Sequence, residues 1–311
     1  MEDILLIGEK EKTMTLPFLQ SARPSFDSQL CSKCGQCANI CPDDVISMDS
    51  GMPTASEGVF MGCIACGHCA CVCPVGAISV EGNGLSGDDT VELSPPGERA
   101  DADQLAALLT ARRSIRRFKQ NNVDRKDIDK ILAMVSTAPM GIPPSPVGVS
   151  VYEGRKKVQQ FAQGVCDACE RSDRFFNPIV LGVMRLFMKK ADFIAMRDFV
   201  KPLCKMLARE RKAGRDVFAW DAPLALLFHH GPFSDAADVH IAATYAVLAA
   251  ESLGLGSCML GTSVVVNYDK KLKAKCGIPA ENKVGLAVVI GYPAVKFHSG
   301  IRRRLQSINY A

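Results

Sequence analysis

Apolar positions along the chain alternate between helical and strand-like spacing, most legibly from residue 100 onward. Across 101–112, Leu105, Leu108 and Leu109 fall at helical spacing and predict a helix. A second helix is predicted after Asp124, which stands as its N-cap with Asp127 three residues on. Val123 and Ile128 are placed as a hydrophobic staple, and Ile128, Ile131, Leu132 and Val135 give the buried stripe. Short continuous apolar runs at 147–152, 224–228 and 286–291 read as buried strands. Residues 239–252 form a mostly apolar helix, and 189–215 read as helical and amphipathic. Residues 81–99, EGNGLSGDDTVELSPPGER, are rich in Gly, Ser, Pro and acid and read as a surface connection.

The front of the chain is organised by cysteines. Cys31, Cys34, Cys37 and Cys41-Pro42 repeat as Cys63, Cys66, Cys69 and Cys73-Pro74, each displaced by 32 residues. Gly35 and Gly67 shift by the same step, as do Ile46 and Ile78. Three closely spaced thiolates can cap one face of a cubane, and small residues let the backbone curl around it. In two-cluster ferredoxins the cysteine before proline serves the other cluster. This spacing predicts two [4Fe–4S] clusters, one on Cys31, Cys34, Cys37 and Cys73, the other on Cys63, Cys66, Cys69 and Cys41. Zinc is the rival occupant, but zinc sites favour paired C-x₂-C knuckles over a triple run followed by Cys-Pro. Cys71, inside the second run, reads as a small buried residue beside the cluster rather than a replacement ligand.

Composition narrows the setting. A chain of 311 residues suggests two domains, placed at 1–95 and 96–311, and 48% hydrophobic residues suffice for an ordinary core. Charges interrupt residues 1–12 where a signal peptide would need an apolar run, and the apolar stretch near 179–188 is too short to span a bilayer. A cytoplasmic protein without a membrane span is expected, and there the fourteen cysteines speak for metal rather than disulfides. Residues 1–95 hold 4 Lys/Arg against 13 Asp/Glu; the rest hold 33 against 20. Opposite net charges suggest modules that attract one another. The cations are dispersed along helices, which argues against nucleic acid as a partner.

The segment Arg112-Arg113-Ser114-Ile115-Arg116-Arg117-Phe118 has the makings of a phosphate site, since guanidinium offers charge and bidentate geometry together. A solvated basic turn explains that motif equally well. Three further segments weigh on the choice: Thr137-Ala138-Pro139, the stretch 249–258 (AAESLGLGSC), and 285–293 (GLAVVIGYP) with a basic run after it. In this order the four segments resemble the nitroreductase family of FMN enzymes over roughly residues 100–305, and the fusion to a two-cluster ferredoxin is similar to a subgroup of that family.

The resemblance implies an α+β fold, a ferredoxin-like domain followed by a mixed, antiparallel-rich sheet wrapped by helices. It also implies a homodimer with one FMN at each of two interfaces. Carried onto this chain, Arg112, Ser114 and Arg116 match phosphate and pyrimidine contacts, and Arg113 contributes backbone. Arg303 matches a C-terminal phosphate arginine, with Arg302 one residue away as the alternative. Leu260, Gly261 and Thr262 match the strip facing flavin N5, where glycine suits a close backbone approach. The chain departs from the family at 139–146, where Pro143 and Ser145 replace the usual Asn and Gln beside the ring. The expected activity is an FMN-dependent oxidoreductase. The clusters would relay single electrons from an external ferredoxin or similar one-electron donor, and the acceptor would be a small nitroaromatic, quinone or activated double bond. An electron-transfer subunit serving a partner enzyme is the alternative. Elsewhere, Cys166 and Cys169 read as a helical surface pair, Cys258 as core packing, and His229-His230 as a strand end leading to the Gly231-Pro232 turn or as proton donors.

Overall fold

A computed structural model describes residues 22–56, 58, 60–141, 147–172, 178–261 and 263–310. The chain divides into two compact units, Met1–Arg99 with Met140–Pro146, and Ala100–Pro139 with Val147–Ala311.

The first unit repeats in conformation as it does in sequence. Helix α1 (Gln36–Ile40) and helix α2 (His68–Val72) are each five residues long. Gly35 and Gly67 precede them with φ 72° apiece, a left-handed turn that glycine makes without steric cost. Lys33 and Ala65, then Asp44 and Gly76, also take positive φ at the same 32-residue displacement. Strand β1 (Arg23–Phe26) pairs antiparallel with β4 (Ile78–Glu81), and β2 (Ile46–Ser47) with β3 (Thr54–Ala55). A small core of Ala22, Cys37, Ile46, Ala65, Cys69 and Val80 lies between the two ribbons and the two helices.

In the second unit, β5 (Gly148–Glu153), β6 (Leu224–His230), β8 (Lys283–Gly291) and β7 (Gly256–Leu260) form one sheet in that spatial order, every neighbour antiparallel. A parallel bridge from Ser114 to Ser257 adds the mixed character. Side chains of β6 divide by the two-residue strand period. Leu224, Leu226 and Phe228 enter the core under α4 (Arg125–Val135) and α9 (Ala236–Ser252); Ala225 and Leu227 enter the core under α5 (Arg155–Ser172). Helices cover both faces, so β6 is apolar throughout. The architecture is α+β.

Several expectations are corrected. The run at 147–152 is half-buried rather than buried. Helix α3 (Ala102–Ala111) forms as expected, under an Asp101–Gln104 capping box, with Leu105 and Leu109 exposed. Asp124 sits at the N-cap of α4 by position, but its carboxylate caps nothing; its carbonyl accepts from Asp127 and Ile128 N–H instead. Cys166 and Cys169 are not a surface pair: α5 packs on α8 (Lys201–Lys212), and both thiols are buried there with Cys204. Cys71 is exposed rather than buried.

Candidate functional site

Two cavities in the first unit carry the cysteines. One is lined by Cys31, Cys34, Cys37 and Cys73, the other by Cys41, Cys63, Cys66 and Cys69. Each wall takes three thiols from one run and the fourth from the other. Burial pushes the Cys69 thiol up to about 11, and the charges of Cys63, Cys66 and Cys41 push it the same way. Cys37 is raised by burial, with Cys31 and Cys34 adding to the effect. Four thiolates that repel one another in a confined space are a donor set for cationic iron. Among the described residues, no three His, Cys, Asp or Glu side chains close around a single ion.

Backbone amides turn toward these sulfurs in the same repeat pattern. Val45 N–H donates to Cys41 Sγ at 3.3 Å, and Ala77 N–H to Cys73 Sγ at 3.2 Å. The repeat breaks at Asp43, whose counterpart is the exposed Val75. The buried Asp43 carboxylate accepts from Phe60, Met61 and Gly62 N–H, at 2.6 Å for Gly62, and so shapes the loop that leads into Cys63. That role has no signature in the sequence, because an aspartate after Cys-Pro reads as a solvated turn.

In the second unit, residues 112–118 leave α3 and run beside β7. Ile115 N–H donates to Ser257 O at 2.9 Å, and Lys119 N–H to Tyr292 O at 2.8 Å. A Cβ on Gly256 would lie 2.4 Å from Ile115, so only glycine there admits this approach. The extended path sorts the side chains. Arg113 and Ile115 face a cavity between α3, the end of α9 and residues 293–300. Arg112, Ser114 and Arg116 instead act on Cys258 of β7: burial raises its thiol, while both arginines and the Ser114 hydroxyl lower it. All three expected phosphate and pyrimidine contacts thus lie within electrostatic reach of Cys258. Arg116 also stands over the Trp220 ring at 5.2 Å, a neighbour the sequence did not announce.

Leu260 is buried at the end of β7, and a Cβ on Gly261 would meet no atom within 4 Å, so the backbone there faces open space. Thr262 lies outside the described residues, as do Pro143 and Ser145. Arg302 and Arg303 are exposed, in the irregular segment after β8. Gly300, three residues before Arg303, packs so tightly on Thr110 that a Cβ would lie 2.6 Å from it; the segment therefore passes two residues from Arg112. His229 and His230 are the last residues of β6, both buried. His229 Nδ1 accepts from the Asn282 amide at 2.9 Å, and His230 Nδ1–H donates to Gly231 O at 2.8 Å, so these ring nitrogens are engaged within the fold. No helix among the described residues is long and apolar enough to cross a membrane.

Comparison with known proteins agrees with this division. The pattern of the nitroreductase family matches residues 109–292, and that of the 4Fe-4S dicluster domain matches residues 30–78. An iodotyrosine deiodinase from Thermotoga neapolitana is 24% identical over 188 residues, 60% of this chain and 87% of its own length. Among solved structures, a nitroreductase with bound FMN from Bacteroides fragilis superposes with a TM-score of 0.51 at 19% identity, covering 67% of this chain and 98% of that one. One from Desulfitobacterium hafniense, also with bound FMN, gives 0.45 at 17% identity, covering 66% and 97%. The chain belongs to the nitroreductase family of flavin oxidoreductases and carries a 4Fe-4S dicluster domain ahead of its nitroreductase domain.

Proposed function

We propose that the chain is an FMN-dependent reductase fed by two [4Fe–4S] clusters, acting on a small organic acceptor such as a nitroaromatic, a quinone or an activated double bond. The observation that carries this reading is the sorting of eight cysteines into two cavities of four, each drawing one thiol from the other repeat. Cys31, Cys34, Cys37 and Cys73 would hold one cluster; Cys63, Cys66, Cys69 and Cys41 the other. A cubane is wider than one zinc ion, and thiols spread over a cavity wall suit it.

Arg112, Ser114 and Arg116 would hold the phosphate and pyrimidine ends of FMN, with Arg113 contributing backbone and Arg303, or Arg302, closing on the phosphate. The open backbone at Gly261, flanked by Leu260 and Thr262, suits an approach of the flavin ring. When bound, FMN supplies the step from single electrons to pairs. The chain's residues orient the flavin and leave one face reachable by the acceptor. A homodimer with an FMN at each interface is part of the reading, as are a cytoplasmic setting, domains at 1–95 and 96–311, and a one-electron donor such as an external ferredoxin. Exposed Leu186 and Phe187, on α6 (Pro178–Phe187), favour the second reading, an electron-transfer subunit that docks on a partner enzyme.

Anaerobically purified protein should hold about eight irons, two cubanes of four, and one FMN per chain. Zinc in place of iron would end the cluster reading. Turnover of an acceptor panel by the isolated protein separates enzyme from subunit.

A further inference from the structure

The turn leading into β6 holds two adjacent left-handed residues, neither of them glycine: Trp220 at φ 52° and Asp221 at φ 54°. A bulky side chain rarely adopts that conformation, and it persists only where its surroundings over-determine it. Here they do. The Asp216 carboxylate accepts from Phe218 N–H at 3.1 Å, Ala219 N–H at 2.9 Å and Asp221 N–H at 2.9 Å, and Gln159 Nε2 donates to it at 2.6 Å. Arg155 bonds the Asp221 carboxylate at 3.3 Å, and its guanidinium also donates to the Lys119 and Gln120 carbonyls. One arginine therefore ties the strained turn to the end of the 112–118 strip. Between those two anchored stretches, the Arg116 guanidinium lies over the Trp220 indole, 5.2 Å from its centroid.

Packing alone does not account for this. Trp220 is only partly buried at the edge of the core, and Gly or Asn would make the turn at less strain. An indole face is the best aromatic partner for a guanidinium, and it orients the cation without neutralising it. We propose that Trp220 is a positioning residue for Arg116: the clasped turn holds the indole as a platform that fixes the guanidinium where it meets FMN. The inference rests on the FMN reading above.

The test is a double-mutant cycle on FMN affinity, read from flavin fluorescence as apoprotein is titrated, so that no turnover is needed. Trp220→Leu should weaken FMN binding about tenfold in the wild-type background, the scale of one cation–π contact. The same change should have little effect in Arg116→Ala protein, and Trp220→Tyr should restore most of the loss. Should Trp220→Leu not fold, Trp220→Phe carries the cycle with a smaller loss that again vanishes beside Arg116→Ala. An equal loss in both backgrounds means that Trp220 acts through packing, and the proposal fails. No loss in either background overturns it as well. Wild-type protein that takes up no FMN would instead sink the FMN reading on which the proposal stands.

Discussion

Arg116 and Arg117 are neighbours with opposite prospects. The extended path of 112–118 directs Arg116 to Cys258 and Trp220, whereas Arg117 lies on the alternate side of the strip, its carbonyl accepting from Ala294 N–H. Arg116→Ala should therefore lose FMN and Arg117→Ala should keep it, since a charge-assisted contact contributes about 1.5–3 kcal/mol. Flavin content after gel filtration reads this directly, and equal retention in both variants would contradict the assignment. At this scale the sequence was informative where chemistry leaves a residue pattern. Cysteine spacing and the Arg-Arg-Ser-x-Arg cluster could both be seen in one dimension. Asp43, Trp220 and the buried trio Cys166, Cys169 and Cys204 could not, because each owes its role to partners far away in the chain. The loop at 60–62 gives Asp43 its work, and α8 turns an apparent surface pair into core.

Among the elements, the β5–β6 pairing carries a pH-dependent joint. His229 closes β6 opposite Gly148, and a Cβ on that glycine would lie 2.0 Å from the imidazole. Burial lowers the pKa of His229, and electrostatic interaction with His230 and Lys273 lowers it further. A folded pKa below the unfolded value of about 6.5 means that the unfolded chain takes up the proton first. Stability from this group is complete above that value and is lost as pH falls through the lowered folded one. Thermal melts from neutral to mildly acid pH should show the decline in wild type and a flatter profile in His229→Asn. Parallel profiles would place the acid sensitivity elsewhere. The strand and helix pattern was readable because β6 and β8, covered on both faces, leave continuous apolar runs. β5 reads as a buried strand too, but Ser150 and Glu153 interrupt its apolar positions and it is only half-buried. The leucine spacing of α3 reads correctly as a helix, with Leu108 half-buried and Leu105 and Leu109 exposed.

For the whole molecule, the central claim is that electrons reach the flavin through the clusters. Residues 30–78 match a 4Fe-4S dicluster domain, the part of the chain that would carry such a relay. Gly82-x-Gly84-x-x-Gly87 follows β4, but it opens only the three-residue 3-10 turn Gly87–Asp89 rather than the α-helix whose N-terminus a dinucleotide site needs. The most direct measurement is anaerobic stopped-flow reduction of the flavin by a reduced ferredoxin, in wild type and in Cys41→Ala, which removes one thiol from the second cavity. The account predicts rapid reduction in wild type and slow reduction in the variant, with FMN content equal in both. If NADH or NADPH reduces both proteins equally fast while ferredoxin does nothing, the clusters are not the route to the flavin.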